Sequence, residues 1–176
     1  MIKVELLCVL LPLIGSIFGN MINNRLISQL VTTSLVVCAS LLSWYLFFDF
    51  KDSYVITLFP WIELYKLKIN WSLYIDSLSM IMLIIVNTVS AVVHLYSIGY
   101  MSHDIGVSRF LSYISLFTFF MLILVTSDNF VQLFFGWEGV GLCSYLLIGF
   151  WFDKASATKA AIKAFIMNRI GDFFLY

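Results

Sequence analysis

Residues 77–103 contain no Lys, Arg, Asp or Glu. A helix needs about 20 such residues, at 1.5 Å of rise each, to cross the hydrocarbon of a bilayer. The texture recurs along the chain. Residues 6–21, 26–48 and 110–127 are free of charge, 129–152 carry one charge at Glu138, and 155–176 carry Lys159, Lys163, Arg169 and Asp172. Helices that are apolar all round belong in a large core or a membrane. These runs predict an all-α polytopic membrane protein of about six transmembrane helices, the first and fourth short and the sixth the most charged.

Composition excludes the alternatives. Of 176 residues 62% are hydrophobic and 11% charged, against roughly 25% charged in soluble domains, so disordered, collagen-like and secreted disulfide classes fail. Ten Lys+Arg against ten Asp+Glu leave no basic excess to hold a nucleic acid. Cys8, Cys38 and Cys143 each sit in an apolar run without CxxC or Cys/His spacing, and read as small buried hydrophobes with no iron–sulfur, zinc or haem ligand set. Lys3 followed by an apolar stretch imitates a signal peptide. No small-residue cleavage site closes that stretch, so it reads as the first helix.

Between the second and third helices the texture changes, which divides the chain into residues 1–48 (helices one and two), 49–76 and 77–176 (helices three to six). From Tyr65 to Asp76 the odd positions are apolar and the even ones polar or amphipathic. That period-2 pattern argues a half-buried strand, and residues 53–59 are β-branched and aromatic enough to pair with it. The expectation is a small extramembrane β-hairpin with Pro60 between its strands, where a missing N–H does least harm. The loops around Arg25, residues 103–109 and residues 153–163 share one side and hold five Lys/Arg. The hairpin side holds Lys3, Lys51, Lys66 and Lys68. Five against four places the hairpin outside by the positive-inside rule.

Small residues signal close helix packing: Gly15 and Gly19 in the first helix, and Gly136, Gly139, Gly141 and Ser144, which thin one side of the fifth. The stretch Thr126-Ser-Asp-Asn129 reads as a cap joining helices four and five.

Glu138 is the position the pattern singles out. Counted from Asn129 it lies about 13 Å into its helix, close to the bilayer midplane, where inserting a charge costs on the order of 3 kcal/mol. Burial favours the neutral acid and a nearby cation favours the carboxylate. A carboxyl held between the two can take and release a proton, as a relay requires; the alternative is a protonated acid bonding a neighbouring helix. Arg169 and Asp172, at i and i+3, can pair on one face, either structurally or within a relay. Lys159 reads as an interfacial anchor, while Lys163, one turn further in, comes within reach of a buried acid. His94, near the end of helix three, either bonds a backbone carbonyl or shuttles protons; His103 is in a loop. No GxGxxG, P-loop, HExxH or Gly-x-Ser-x-Gly occurs, so nucleophilic or hydride chemistry has no support. What remains is charge movement through a membrane.

The string Trp137-Glu-Gly-Val-Gly-Leu-Cys-Ser-Tyr-Leu-Leu-Ile-Gly-Phe150 resembles the fifth-helix signature of the chain 5 family of NADH–ubiquinone oxidoreductase, respiratory complex I. Residues 159–172 (KAAIKAFIMNRIGD) resemble the helix that follows it. Asp76-Ser-Leu-Ser79 and Gly99-Tyr-Met101, at the two ends of helix three, fit as well. The resemblance covers most of residues 70–176 and is only an outline before that. It implies an antiporter-like, proton-translocating subunit of the membrane arm with no redox cofactor of its own, FMN, iron–sulfur clusters and ubiquinone belonging to other subunits. It implies other membrane-arm subunits and membrane lipids as partners, and a hairpin facing the intermembrane space or periplasm. Glu138 then matches the family's helix-five glutamate, and Asp172, with Arg169 beside it, its helix-six motif. A lysine on a later helix would pair with the glutamate.

Family chains are several times longer, with two inverted repeats, the first beginning near helix four. On this reading the lysine-bearing helix lies beyond Tyr176, Glu138 has no partner for alternating its charge within this polypeptide, and a second chain completes the subunit or the record is partial. The Phe-, Ile-, Leu- and Tyr-rich composition suits an organellar gene, hence a mitochondrial inner membrane, with a bacterial inner membrane as the alternative. Two other functions stay open: the large subunit of a multisubunit cation/proton antiporter, and a non-pumping structural piece of the membrane arm.

Overall fold

A computed structural model describes residues 4–22, 24–65 and 67–173. Six helices and two strands follow in the order α1 (Val4–Met21), α2 (Arg25–Asp49), β1 (Tyr54–Leu64), β2 (Leu67–Ile75), α3 (Ser77–Tyr100), α4 (Val107–Val125), α5 (Phe130–Ile148) and α6 (Ala155–Phe173). Five of the helices, α1 to α5, are long and apolar enough to cross a membrane. α6 has the length, but its four charges set it apart. The all-α polytopic class with a hairpin between the second and third helices is therefore what the chain adopts.

α4 is the hub, packing against α1, α2, α3 and α5, whereas α6 packs on α5. Small residues allow these approaches. A Cβ on Gly136 would stand 2.8 Å from the Leu124 backbone, and one on Gly139 would fall on the Phe120 ring, both on α4. A Cβ on Gly19 would fall on the Thr32 methyl of α2. Gly141 departs from the one-sided stripe the sequence suggested: its neighbour is Asn168 of α6, at 3.3 Å. Among the described residues no glycine has a positive φ, so these positions serve close packing and not turns.

The hairpin forms as expected, but Pro60 lies inside β1, opposite Asn70, beside a register shift between Pro60 and Ile62. Both strands of a two-stranded sheet are edges, and at an irregular edge a missing N–H removes little. Lys66, part of the predicted alternation, and Lys3 lie outside the described residues. Leu73 and Ile75 are fully buried and join the core with Ile56, Cys8, Val9, Met80, Leu83, Phe119 and Leu122. The even positions Lys68, Asn70 and Tyr74 are exposed, but Ser72 is fully buried.

The cause is that the outer edge of β2 is covered. The Tyr74 amide donates to the Thr126 carbonyl at 2.9 Å, the Ser72 amide to Gln132 Oε1 at 3.1 Å, and Asn129 Nδ2 to the Asn70 carbonyl at 3.0 Å. Ser72 Oγ also donates to Asp128 Oδ2 at 2.8 Å. The α4–α5 connection thus satisfies the groups that an open strand edge would expose. Asn129 in addition caps α5, accepting from the Gln132 amide at 2.9 Å, as the Thr126–Asn129 stretch suggested. On the partner strand, opposite Ile75, the Tyr54 hydroxyl donates to Glu5 Oε1 at 2.6 Å.

Candidate functional site

α5 starts at its Asn129 cap and runs for 19 residues, so Glu138, nine residues past the cap, sits at mid-helix. Its side chain is 23% exposed and forms a direct hydrogen-bonded ion pair with Nη1 of Arg169 on α6. The same Nη1 stands 3.9 Å from Asp172 Oδ2 on its own helix. Asp172 is nearly buried, and its Oδ1 accepts a 2.7 Å hydrogen bond from Trp137 Nε1. One guanidinium therefore lies between two carboxylates, the nearer on the facing helix and the farther held by an indole. The space left between α5 and α6 here is about 10 Å³, bounded also by Gly141, Leu142 and Asn168, at the lower limit for one water molecule. The contact is direct.

Two expectations change at this point. Arg169 and Asp172 do share a helix face, but Arg169 makes its shorter contact across the helix pair, because Gly141 lets α6 approach α5. Glu138 accordingly has a cation, Arg169, within this chain. Lys163 is exposed, and among the described residues no ion pair joins it to an acid. Six residues before Arg169, it lies about 120° around the helix from that residue.

His94 belongs to a separate constellation. It is fully buried on α3, and α4 intervenes between that helix and α5. His94 Nδ1 lies 2.8 Å from the Ser90 carbonyl and Nε2 lies 2.8 Å from Ser115 Oγ of α4. A carbonyl only accepts, so the hydrogen-bond pattern puts a proton on Nδ1 and, in the neutral ring, leaves Nε2 to accept from Ser115. Ser90 Oγ continues the string to Thr118 Oγ1 at 2.5 Å. His94 makes the carbonyl bond, and sits among hydroxyls.

Sequence reasoning passed over Trp137, Gln132 and this hydroxyl string. Gln132, an amide in an apolar run, was the available signal. An indole turned toward Asp172 had none. Among the described residues no group of three or more His, Cys, Asp or Glu gathers in metal-binding geometry.

Comparison with known proteins now decides the lineage. Residues 61–111 match the family model described as NADH-ubiquinone oxidoreductase (complex I), chain 5 N-terminus, and residues 127–176 match NADH:quinone oxidoreductase/Mrp antiporter, TM. The chain belongs to the complex I chain 5 family.

Among its relatives is NADH-quinone oxidoreductase subunit L of Rickettsia bellii, 52% identical over 177 residues, covering 97% of this chain and 28% of that protein. NADH-ubiquinone oxidoreductase chain 5 of Marchantia polymorpha is 50% identical, with 97% and 26% covered. Subunit L of Rhodobacter capsulatus is 51% identical, with 93% and 25% covered. The chain thus spans about a quarter of the length of these chain 5 family relatives. The second matched model brackets the α5–α6 pair that carries Glu138, Arg169 and Asp172.

Proposed function

We propose that this chain is part of a proton-translocating membrane-arm subunit of NADH:quinone oxidoreductase, with Glu138 as its protonatable group. The observation that carries the reading is a mid-span carboxyl whose counter-charge, Arg169, has a second carboxylate, Asp172, within 3.9 Å. With Arg169 on Glu138, the ion pair favours the carboxylate form. A move of the guanidinium toward Asp172 leaves Glu138 uncompensated in an apolar helix pair, where the neutral acid is favoured, and it takes up a proton. Return of Arg169 expels that proton. Each cycle moves one proton onto and off one oxygen, and the work comes from whatever displaces the guanidinium. Lys163, nearer the α5–α6 connection, and the His94 string, on the far side of α4, are proposed as more distant stations on routes to that carboxyl and not as contacts of it.

Quinone reduction in other subunits, which hold FMN, iron–sulfur clusters and the ubiquinone site, would drive the displacement through neighbouring membrane-arm charges. The rest of the length of the relatives, as a continuation or a second chain, would complete the two repeats, the first beginning within residues 77–176. The membrane is the mitochondrial inner membrane or a bacterial inner membrane; relatives come from both. The resemblance of residues 127–176 to a model shared with Mrp antiporters keeps cation/proton exchange as the second reading.

The deciding experiment is Glu138→Gln in the assembled complex. A fall in the proton-to-electron ratio with normal assembly is expected. An unchanged ratio would leave a structural role only, and sodium-dependent proton exchange without co-purifying flavin and iron–sulfur subunits would favour the antiporter.

A further inference from the structure

At the end of the helices opposite the hairpin, the α1–α2, α3–α4 and α5–α6 connections converge on an open cavity of about 800 Å³. Arg25, first residue of α2, and Arg109, in the first turn of α4, line it together with Asp104 and Asp153. Among the described residues neither guanidinium lies within 4.0 Å of a carboxylate. Asp104 is fixed in place with acceptor sites to spare: Oδ1 accepts from the Gly106 amide at 2.7 Å and Oδ2 from Trp151 Nε1 at 3.1 Å, which ties the α3–α4 connection to the α5–α6 connection. Those two bonds, and then the fields of Arg109 and Arg25, hold its carboxyl below the usual carboxylate range, so that it stays ionised.

The wall thus presents two cations and two anions that do not neutralise one another by contact. Arg109 is oriented by the rings of Phe150 at 5.2 Å and Phe152 at 5.7 Å, which hold a planar guanidinium while leaving its N–H fork for a bidentate acceptor. The N-termini of α2 and α4 add their positive dipole ends. An adjoining cleft of about 200 Å³ shares Arg109, Phe150 and Phe152 and runs between α4, α5 and α6 past Tyr113, Tyr145 and Leu146. A free phosphate would use the arginines alone. The largely aromatic and aliphatic cleft beside them suits an acyl chain. A headgroup with a phosphate but no ammonium would engage the two arginines and leave the two carboxylates without a counter-charge from the ligand, whereas a primary ammonium can donate hydrogen bonds to both.

We propose that this cavity binds the headgroup of phosphatidylethanolamine, its phosphate on Arg25 and Arg109, its ammonium toward Asp104 and Asp153, and one acyl chain in the adjoining cleft. The site is independent of the Glu138 cluster and requires only that the helices span a bilayer.

The test uses the intact complex in lipid nanodiscs doped with photoactivatable phosphatidylethanolamine, phosphatidylcholine or phosphatidylglycerol, with crosslinks mapped by peptide mass spectrometry. Ethanolamine lipid should label peptides of residues 103–113 and 145–153 roughly tenfold above the other two, the worth of one charge-assisted hydrogen bond. The Arg25→Gln/Arg109→Gln pair should abolish that excess. Asp153→Asn, at an exposed residue, should bring choline and ethanolamine lipids closer to parity even if the double variant fails to assemble. Equal labelling by all three lipids would reduce the site to annular lipid, and a phosphatidylglycerol preference would refute the zwitterion. Loss of labelling in millimolar inorganic phosphate would make it a free-anion site. Any of these overturns the proposal.

Discussion

The Trp137 indole donates a 2.7 Å hydrogen bond to Asp172 Oδ1, so the residue next to Glu138 restrains the carboxylate that competes with it for Arg169. Removing that donor should shift the competition. Trp137→Phe keeps the ring but leaves Asp172 with Arg169 as its remaining charged partner. A hydrogen bond to a charged group is worth about 1.5–3 kcal/mol, which converts to roughly a ten- to hundredfold bias of Arg169 toward Asp172. The expected outcome is a complex that assembles normally and pumps fewer protons per electron, read in reconstituted vesicles. An unaltered ratio would exclude this restraint as part of the coupling.

The packing of α5 on α4 predicts a contrast among glycines. Gly136→Ala forces a methyl against the Leu124 backbone, which has no rotamer to yield, and should cost about 1–3 kcal/mol. Gly99→Ala, with nothing within 4 Å of the new methyl, should be neutral or gain up to about 1 kcal/mol from helix propensity. Thermal unfolding of the detergent-solubilised subunit, followed by far-UV circular dichroism, separates the two.

Gln132 holds the hairpin to the start of the Glu138 helix. Gln132→Leu keeps the volume but removes the acceptor of the buried Ser72 amide, an unpaired group costing about 1–3 kcal/mol. Hydrogen exchange should accelerate at Ser72 and Tyr74, on the β2 edge, and remain slow in α3. Unchanged exchange at Ser72 would show that the hairpin does not lean on this side chain.

Asp76 caps α3. Its Oδ1 accepts from Ser79 Oγ at 2.6 Å and from the Ser79 amide at 2.7 Å, and these bonds, the hydroxyl first, hold the carboxyl below its usual range. A group with a depressed folded-state value binds its proton more readily when unfolded. Its contribution is therefore full above the unfolded carboxyl value, near pH 4, and fades as the pH falls through the lower folded value. Asp76→Asn should flatten that acid limb in a pH series of unfolding midpoints. Asp76→Ala should cost about 1 kcal/mol at neutral pH, since the cap itself is lost.

Much of this architecture was written in the order of the residues. Uncharged runs of this length, repeated through a chain with 11% charged residues, need a hydrocarbon surround, so α1 to α5 and the exceptional place of Glu138 followed from the order of the residues. The alternation from Tyr65 to Asp76 announced a strand, observed at Leu67–Ile75, because period-2 patterning needs no knowledge of the partner. Pro60 was misplaced because a register shift is a property of two strands together, not of either one. Ser72 escaped for the same reason: its burial comes from Asp128 and Gln132, nearly sixty residues away.

At the candidate site the division is sharper. That a carboxyl sits mid-span, and that Arg169 and Asp172 share a helix face, are local facts of 1.5 Å rise and 3.6 residues per turn, and the chain order determines them. Which carboxylate Arg169 meets first is not local. It depends on how near α6 comes to α5 at Gly141 and on an indole turning to hold Asp172. Electrostatic pairing in an apolar medium is decided over a few ångströms, and only the packed helices set those distances.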